Sequence, residues 1–356
     1  MDLSFDTRLQ KIEQALSQAL NMEFSAEWKK SVFANIPQAI TTKHIQNLIQ
    51  PNKELIDLGG KRWRPLFMIL CYELLCKESK NALPIDSVYK LTPLVEFVHT
   101  ASLIHDDIED SADLRRGKPA AHITFGLDTA LNAGSWLYFV APVSIDNLDL
   151  PDEQKLMFYQ LYTLELRKLH LGQAMDIFWH REKDVFPTMD EYKAMVKNKT
   201  GTLASLAAQT GILASGQTLE IAQQFGDIAA NIGIGFQIID DVINLTTGNV
   251  GKKRGDDIVE GKKSLPILIH IHNNPQDKEK IASLMKIAQE EGIDSSAVEE
   301  CISVLETSDC IQLAAKEGIS LIKSSCQKFG SLLKCDEKIL ELIKNLFEKM
   351  VPGQFK

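Results

Sequence analysis

Apolar residues recur along this chain at intervals of three and four, the spacing that lines one face of an α-helix. Leu66, Ile69, Leu70, Leu74 and Leu75 follow Pro65 in this way, and proline suits a first helical turn. A second stripe comprises Leu91, Leu94, Val95, Val98, Leu103 and Ile104. The same periodicity predicts helices near 127–141, 152–180, 190–213, 218–246, 277–290, 295–305, 308–330 and 336–349. Breakers fall between them at Pro84, Pro119, Pro151, Pro187, Pro275 and the Gly248–Gly255 stretch. No regular series of alternating strands is found, so the pattern predicts an all-α fold rather than α/β or all-β. Glu78–Ser87 and Asp146–Glu153 are expected as short surface connections, and nothing marks a domain boundary, so residues 1–356 are expected to form a single domain.

Composition narrows the class. A chain of 356 residues that is 44% hydrophobic can bury a large core. The net charge of -9 argues against a broad nucleic-acid footprint, so no nucleic-acid partner is expected. None of the six cysteines forms a Cys-x-x-Cys pair, which favours buried free thiols in a reducing cytoplasmic setting over a zinc site. Met1 to Leu20 lacks the basic start and apolar run of a signal peptide. No stretch reaches eighteen uninterrupted apolar residues, so no transmembrane segment is expected and the protein is expected to be cytoplasmic.

Two of the apolar stripes end in acidic pairs, and the candidate chemistry starts there. The first runs Phe97-Val98-His99-Thr100-Ala101-Ser102-Leu103-Ile104-His105-Asp106-Asp107-Ile108-Glu109-Asp110. On a helix Asp106 and Asp110 project from one face, with Ser102 and His99 one and two turns earlier. Like charges at that spacing cost a helix about 0.2–0.5 kcal/mol, a penalty that a bridging cation removes. The second runs Gly235-Phe236-Gln237-Ile238-Ile239-Asp240-Asp241-Val242-Ile243-Asn244, where Asp240 and Asn244 share a face and Gln237 lies one turn back. Carboxylates in such apolar runs are expensive unless paired or metal-bound. A lone Asp-Asp-x-x-Asp is more often a solvated helix end; two acidic pairs, each closing an apolar helix, favour a functional reading. Hard oxygen donors without His or Cys partners suit magnesium, whose shell is commonly completed by water and substrate phosphate.

A diphosphate also needs cations. Gly59-Gly60-Lys61-Arg62-Trp63-Arg64-Pro65 puts three basic residues before a helix, Arg115-Arg116-Gly117 follows the first acidic face, and Gly261-Lys262-Lys263-Ser264 follows Asp256 and Asp257. Arginine forks and mobile lysines are the usual phosphate clamps. Any one such cluster is more often plain surface charge; their order around the acidic faces sets these apart.

With those motifs in place, the sequence resembles the trans-isoprenyl diphosphate synthase (polyprenyl synthetase) family over roughly residues 55–270, most closely its geranylgeranyl or longer-chain members. The resemblance implies one helical bundle of the isoprenoid synthase type around a deep central cavity, with C-terminal helices over 275–350 and a homodimeric assembly. It implies head-to-tail condensation of isopentenyl diphosphate with an allylic diphosphate, with magnesium as cofactor, three ions per active site. Asp106 and Asp110 resemble the metal ligands of the first Asp-rich motif, and Asp240 the main ligand of the second. Lys61, Arg64 and His99, with Arg116, resemble the isopentenyl diphosphate site, and Arg115 the residue holding the allylic diphosphate. Lys199 and Thr200, in Asn198-Lys199-Thr200-Gly201, match the family's Lys-Thr pair and with Gln237 are implied to offer dipoles to an allylic cation. Lys262 matches another allylic-site position, and Gln173 and Asp176, in Gly172-Gln173-Ala174-Met175-Asp176, a motif lining the cavity. Asn244 replaces a third Asp, and Trp63 is bulkier than the usual residue.

Product length in such enzymes follows the cavity floor. Ala101, five residues before Asp106, stands where short-product members often carry an aromatic, which leaves Phe97 or Val98 as the next plug and Leu131 and Ser135 as further wall. A product of twenty carbons or more is expected. Three alternatives stay open: a farnesyl product, a class I terpene cyclase and a non-catalytic synthase subunit. A cyclase would usually carry an Asn/Asp…Ser/Thr…Glu second motif and would not need Lys61, Arg64 and Arg116; non-catalytic subunits commonly lose acidic ligands that both faces here keep.

Overall fold

The computed structural model describes residues 5–182, 184–248, 253–351 and 353. Residues 1–4 of the N-terminal segment and 249–252 of the expected Gly248–Gly255 break lie outside the described residues. The helices are α1 Phe5–Ala19, α2 Ala26–Phe33, α3 Thr42–Asp57, α4 Trp63–Leu75, α5 Ile85–Lys90, α6 Pro93–Glu109, α7 Ala121–Phe125, α8 Leu127–Val140 and α9 Val143–Asp146, followed by α10 Asp152–Arg181 and α11 Met189–Val196. Beyond the turn Lys197–Gly201 come α12 Thr202–Ala214, α13 Leu219–Thr246, α14 Asp256–Val259, α15 Leu265–Asn273, α16 Lys278–Glu291, α17 Ser296–Glu306, α18 Cys310–Leu332 and α19 Glu337–Glu348. A two-residue-strand hairpin, β1 Leu114–Arg115 with β2 Lys118–Pro119, is the sheet structure among the described residues.

Two compact units divide the chain: Met1–Leu164, Leu206–Gly226 and Cys335–Ile339 form the first, and Glu165–Ser205, Asp227–Lys334 and Leu340–Lys356 the second. In the first, α6 starts on Pro93, whose missing N–H costs nothing at a helix start, and packs against α1, α3, α4 and α8. Its residues Phe97, Val98, Ala101 and Ile104 are fully buried, each large one worth about 1.5–3 kcal/mol of burial. Asn52 ties α3 to α8 by donating to the Ala133 carbonyl at 2.9 Å. In the second unit, Ile238 and Val242 of α13 join Leu265, Ile267, Ile302 and Leu305 in one apolar core. Gly235 of α13 lies against α18 so closely that a Cβ there would sit 2.6 Å from the Gly318 carbonyl oxygen.

The expected long helices all form, with two informative differences. The stretch expected as one helix over 190–213 is interrupted at Lys197–Gly201 by a π-helical turn. The segment Leu265–Asn273, left without an element by periodicity, is helix α15; its run of buried apolar residues has no polar face to betray a period. α13 is long and apolar enough to cross a membrane by length and composition, though no uninterrupted apolar run suggested it, and 67% of its most apolar window is buried in the protein.

Candidate active site

In the first unit, the loop before α4 turns on residues with positive φ: Gly59 at 75°, Gly60 at 152° and Arg62 at 45°. Lys61 is exposed, while Arg62 turns inward. Arg62 Nη1 donates to Glu96 Oε1 at 2.7 Å, Nε to Glu13 Oε1 at 2.7 Å and Nη2 to the Ile56 carbonyl at 2.5 Å. Arg62 therefore does not join the expected trio of phosphate-clamping bases; its side chain is 2% exposed and its charge is spent on a buried carboxylate. Burial pushes the Glu96 carboxyl up from its ordinary value, and Arg62 is the main force against that rise. Removing one partner of such a pair costs about 3–5 kcal/mol. Trp63, whose purpose the sequence left open, is buried and carries the Arg64 guanidinium 4.4 Å over its ring.

Arg64 Nη1 lies 3.4 Å from His99 Nε2. Burial first, then the guanidiniums of Arg64 and Arg116, hold the His99 pKa well below its ordinary 6.5, so the neutral ring serves Arg64 as an acceptor. Below that ordinary value the unfolded chain takes up a proton that the folded one refuses, so stability falls as pH drops through the window beneath it. His99→Gln keeps an acceptor and removes the titration. It is expected to flatten the loss of melting temperature between about pH 7 and 5, at most about 1.4 kcal/mol per pH unit. Parallel melting curves for the two proteins would assign the loss to other groups.

The hairpin after α6 turns through Arg116 (φ 53°) and Gly117 (φ 75°), two successive left-handed residues, as a tight two-residue connection requires. The turn sends neighbouring arginines to different tasks. Arg115 Nε donates to Asp107 Oδ1 at 2.8 Å, and Nη2 to the same oxygen. Burial raises the Asp107 carboxyl and Arg115 opposes it. Arg116 instead lies along Gly60, where a Cβ would sit 3.0 Å from its Nη2, so glycine makes room for the guanidinium beside Lys61. Arg64, His99 and Arg116 thus gather at the start of α4, with the exposed Lys61 following Gly60 in the loop. Asp106 and Asp110 stand half-buried at the end of α6.

The residues expected at the cavity floor are closed off. Ala101 has no exposed surface and Phe97 only 1%. The Ala101 carbonyl accepts from His105 Nδ1 at 2.9 Å, and His105 Nε2 meets Ser135 Oγ at 3.2 Å. One turn before Asp106 it is Ser102, half-buried, that carries accessible surface, and Leu131 is 46% exposed on α8.

The second unit is organised around the π turn. Three glycines let backbones meet there: a Cβ on Gly172 of α10 would lie 2.3 Å from the Lys199 nitrogen, and one on Gly233 of α13 would lie 2.6 Å from the Gly201 Cα. Lys199 Nζ donates to Asp176 Oδ2 at 2.6 Å, and Gln173 lies half-buried three residues earlier on α10. Burial alone would raise the Asp176 carboxyl, but Lys199 and His180 together hold it below its ordinary value. Thr200 Oγ1 donates to Gln237 Oε1 at 3.0 Å, and Gln237 Nε2 donates to Asp241 Oδ1 at 3.1 Å. Asp241 also accepts from the Tyr192 hydroxyl at 2.6 Å and the Leu265 nitrogen at 3.3 Å. Burial and the nearby Asp257 carboxylate push its pKa up. Because Asp241 can only accept while ionised, it fixes the Gln237 amide with its oxygen toward Thr200.

Asn244, one turn after Asp240 on α13, is 1% exposed, and its Oδ1 accepts from the Asp257 nitrogen at 3.2 Å, while Asp240 is half-buried. The Asn244 amide oxygen thus holds the start of α14. Lys262 pairs with Glu260 and lies 3.7 Å from Asp257. Sequence reasoning gave no part to Glu96 or Tyr192, whose partners Arg62 and Asp241 are distant in sequence, nor to Glu260, the near neighbour of Lys262. Among the described residues no three His, Cys, Asp or Glu side chains cluster as a metal cage, so a metal held here would need water or substrate oxygens as well.

Comparison with known proteins agrees with these features. The polyprenyl synthetase family model matches residues 45–305, beyond both ends of the 55–270 stretch that carries the motifs. Geranylgeranyl pyrophosphate synthase 2 of Zymoseptoria tritici is 38% identical over 238 residues, 66% of this chain and 68% of that one. Geranylgeranyl pyrophosphate synthase subD of Metarhizium robertsii is 34% identical over 314 residues, 85% and 82% of the two chains. Among solved structures, geranylgeranyl pyrophosphate synthetase from Pyrococcus horikoshii superposes with a TM-score of 0.77 at 25% identity, over 97% of this chain and 96% of that one. Heptaprenyl diphosphate synthase from Staphylococcus aureus gives 0.75 at 26% identity, over 98% of each. The all-α fold, the motifs and these matches have one explanation: the chain belongs to the polyprenyl synthetase family and is a prenyltransferase.

Proposed function

We propose that this prenyltransferase condenses isopentenyl diphosphate with an allylic diphosphate, giving geranylgeranyl diphosphate or a longer chain and releasing diphosphate. The observation that carries this reading is the second basic group, Arg64 and Arg116 gathered about His99 with Lys61 in the adjoining loop. An enzyme handling one diphosphate has no use for it; a condensation of two diphosphate substrates does. Asp106 and Asp110 at the end of α6 supply hard oxygens that fit magnesium, as does Asp240 on α13, with three ions implied by the family. Bound there, the metal would neutralise charge on the departing diphosphate. Lys199 and Lys262, each beside carboxylates, add positive charge for the allylic diphosphate, as does Arg115 on Asp107. The Thr200 hydroxyl and Gln237 amide oxygen provide fixed dipoles for a developing allylic cation. A diphosphate oxygen takes the final proton, so no side-chain base is invoked. Leu127, Leu131 and Phe139 form an exposed stripe on α8, which supports pairing with a second copy of the chain.

Incubation with isopentenyl diphosphate, each allylic diphosphate and magnesium, followed by product sizing, tests the reading. Condensation to twenty carbons or more is expected; no condensation with any primer would sink it. A hydrocarbon made from the allylic diphosphate alone would point to a cyclase instead.

A further inference from the structure

We infer that Glu96 is a positioning residue for the isopentenyl diphosphate pocket, acting through Arg62; this rests on reading Lys61, Arg64, His99 and Arg116 as that pocket. Glu96 is 3% exposed and sits one turn before His99 on α6. Arg62 holds a left-handed conformation, φ 45° and ψ 26°, which side chains other than glycine adopt at a cost. Its guanidinium is what holds it there: Ile56 carbonyl, Glu96 and Glu13 take hydrogen bonds from it in three directions. The backbone direction at position 62 sets where Lys61 points and where the first turn of α4, carrying Arg64, begins.

Successive turns of α6 thus do two linked jobs. Glu96 anchors the loop from beneath, and His99 receives Arg64 above it. Charge supports the same role. Arg62, Arg64 and Arg116 converge near one another, and Arg64 and Arg116 both act on the Glu96 carboxylate through space. A buried anion behind the cluster lets the guanidiniums stay gathered before a diphosphate arrives. Glu13 extends the anchor to α1, so the N-terminal helix is tied to the substrate loop.

The test separates positioning from mere folding. The double variant Arg62→Met/Glu96→Met replaces the ion pair by apolar side chains of similar volume, an exchange that such pairs often tolerate. It is expected to melt near the parent temperature, raise KM for isopentenyl diphosphate ~10–100-fold and leave kcat and the allylic KM nearly unchanged. It should also lose the thermal shift that isopentenyl diphosphate alone gives the parent. If the double variant does not fold, Glu96→Gln, which keeps shape and an acceptor, carries the same comparison. Arg64→Ala serves as control. An unchanged KM for isopentenyl diphosphate in the folded variant, with a raised one in Arg64→Ala, overturns the role of Glu96 and leaves the pocket standing. An unchanged KM in Arg64→Ala overturns both.

Discussion

Replacing Gly172 by alanine is expected to lower kcat about 100-fold while leaving the helix that carries it intact. Alanine is the better helix former by about 1 kcal/mol, so α10 itself loses nothing. The added Cβ, however, would lie 2.3 Å from the Lys199 nitrogen and 2.7 Å from the Asn198 carbonyl carbon. Both are backbone atoms, and no side-chain rotation relieves the clash. The π turn must therefore shift by about an ångström, and displacement on that scale at a reacting centre costs about 10²-fold. Lys199 and Thr200 move together, so the Asp176 and Gln237 contacts are both strained. Steady-state kinetics with a circular dichroism control check this. Parent-like kcat in the folded variant would show that the turn tolerates displacement.

Converting Asp106 to asparagine is expected to remove most activity without unfolding the protein. Asp106 and Asp110 lie one turn apart, both half-buried, and an amide keeps the shape of the side chain while removing its charge. The variant should keep the circular dichroism spectrum of the parent. The hard carboxylate offered to a metal–diphosphate complex is lost, and kcat/KM should fall by about 10²–10³-fold or more, as for removal of one charge-stabilising group. A fall in melting temperature together with activity would instead make the carboxylate a structural group.

The first acidic face was legible because everything that builds it is local: Pro93 opens the helix, apolar residues set its phase, and Asp106 and Asp110 close it. Positions whose meaning depends on distant backbone were not. Lys61, Arg62 and Arg64 are alike in a string of letters, and only the left-handed turn that buries Arg62 against Glu96 separates anchor from clamp. Asn244 has the spacing of a partner for Asp240, and only the return of the chain through Gly255 shows that its amide oxygen accepts from the Asp257 nitrogen of α14. The π turn has no signature of its own, since it is stabilised by Gly172 and Gly233, each about thirty residues away. Tyr192 was invisible for the same reason: its partner Asp241 lies on another helix.

Chain neighbours Lys199 and Thr200 serve partners on two different helices, Asp176 on α10 and Gln237 on α13. A π turn accommodates one residue more than the α-helical turn it replaces. The extra residue is absorbed within the turn, so α11 and α12 keep the phase of one regular helix. Deleting one residue from 197–201 would restore that helix and leave Tyr192 facing Asp241, but it would close the wide turn from which Lys199 and Thr200 reach different helices. The length of this five-residue segment is thus under a constraint as strict as the identity of the residues in it, and a single-codon deletion there would be more damaging than most substitutions.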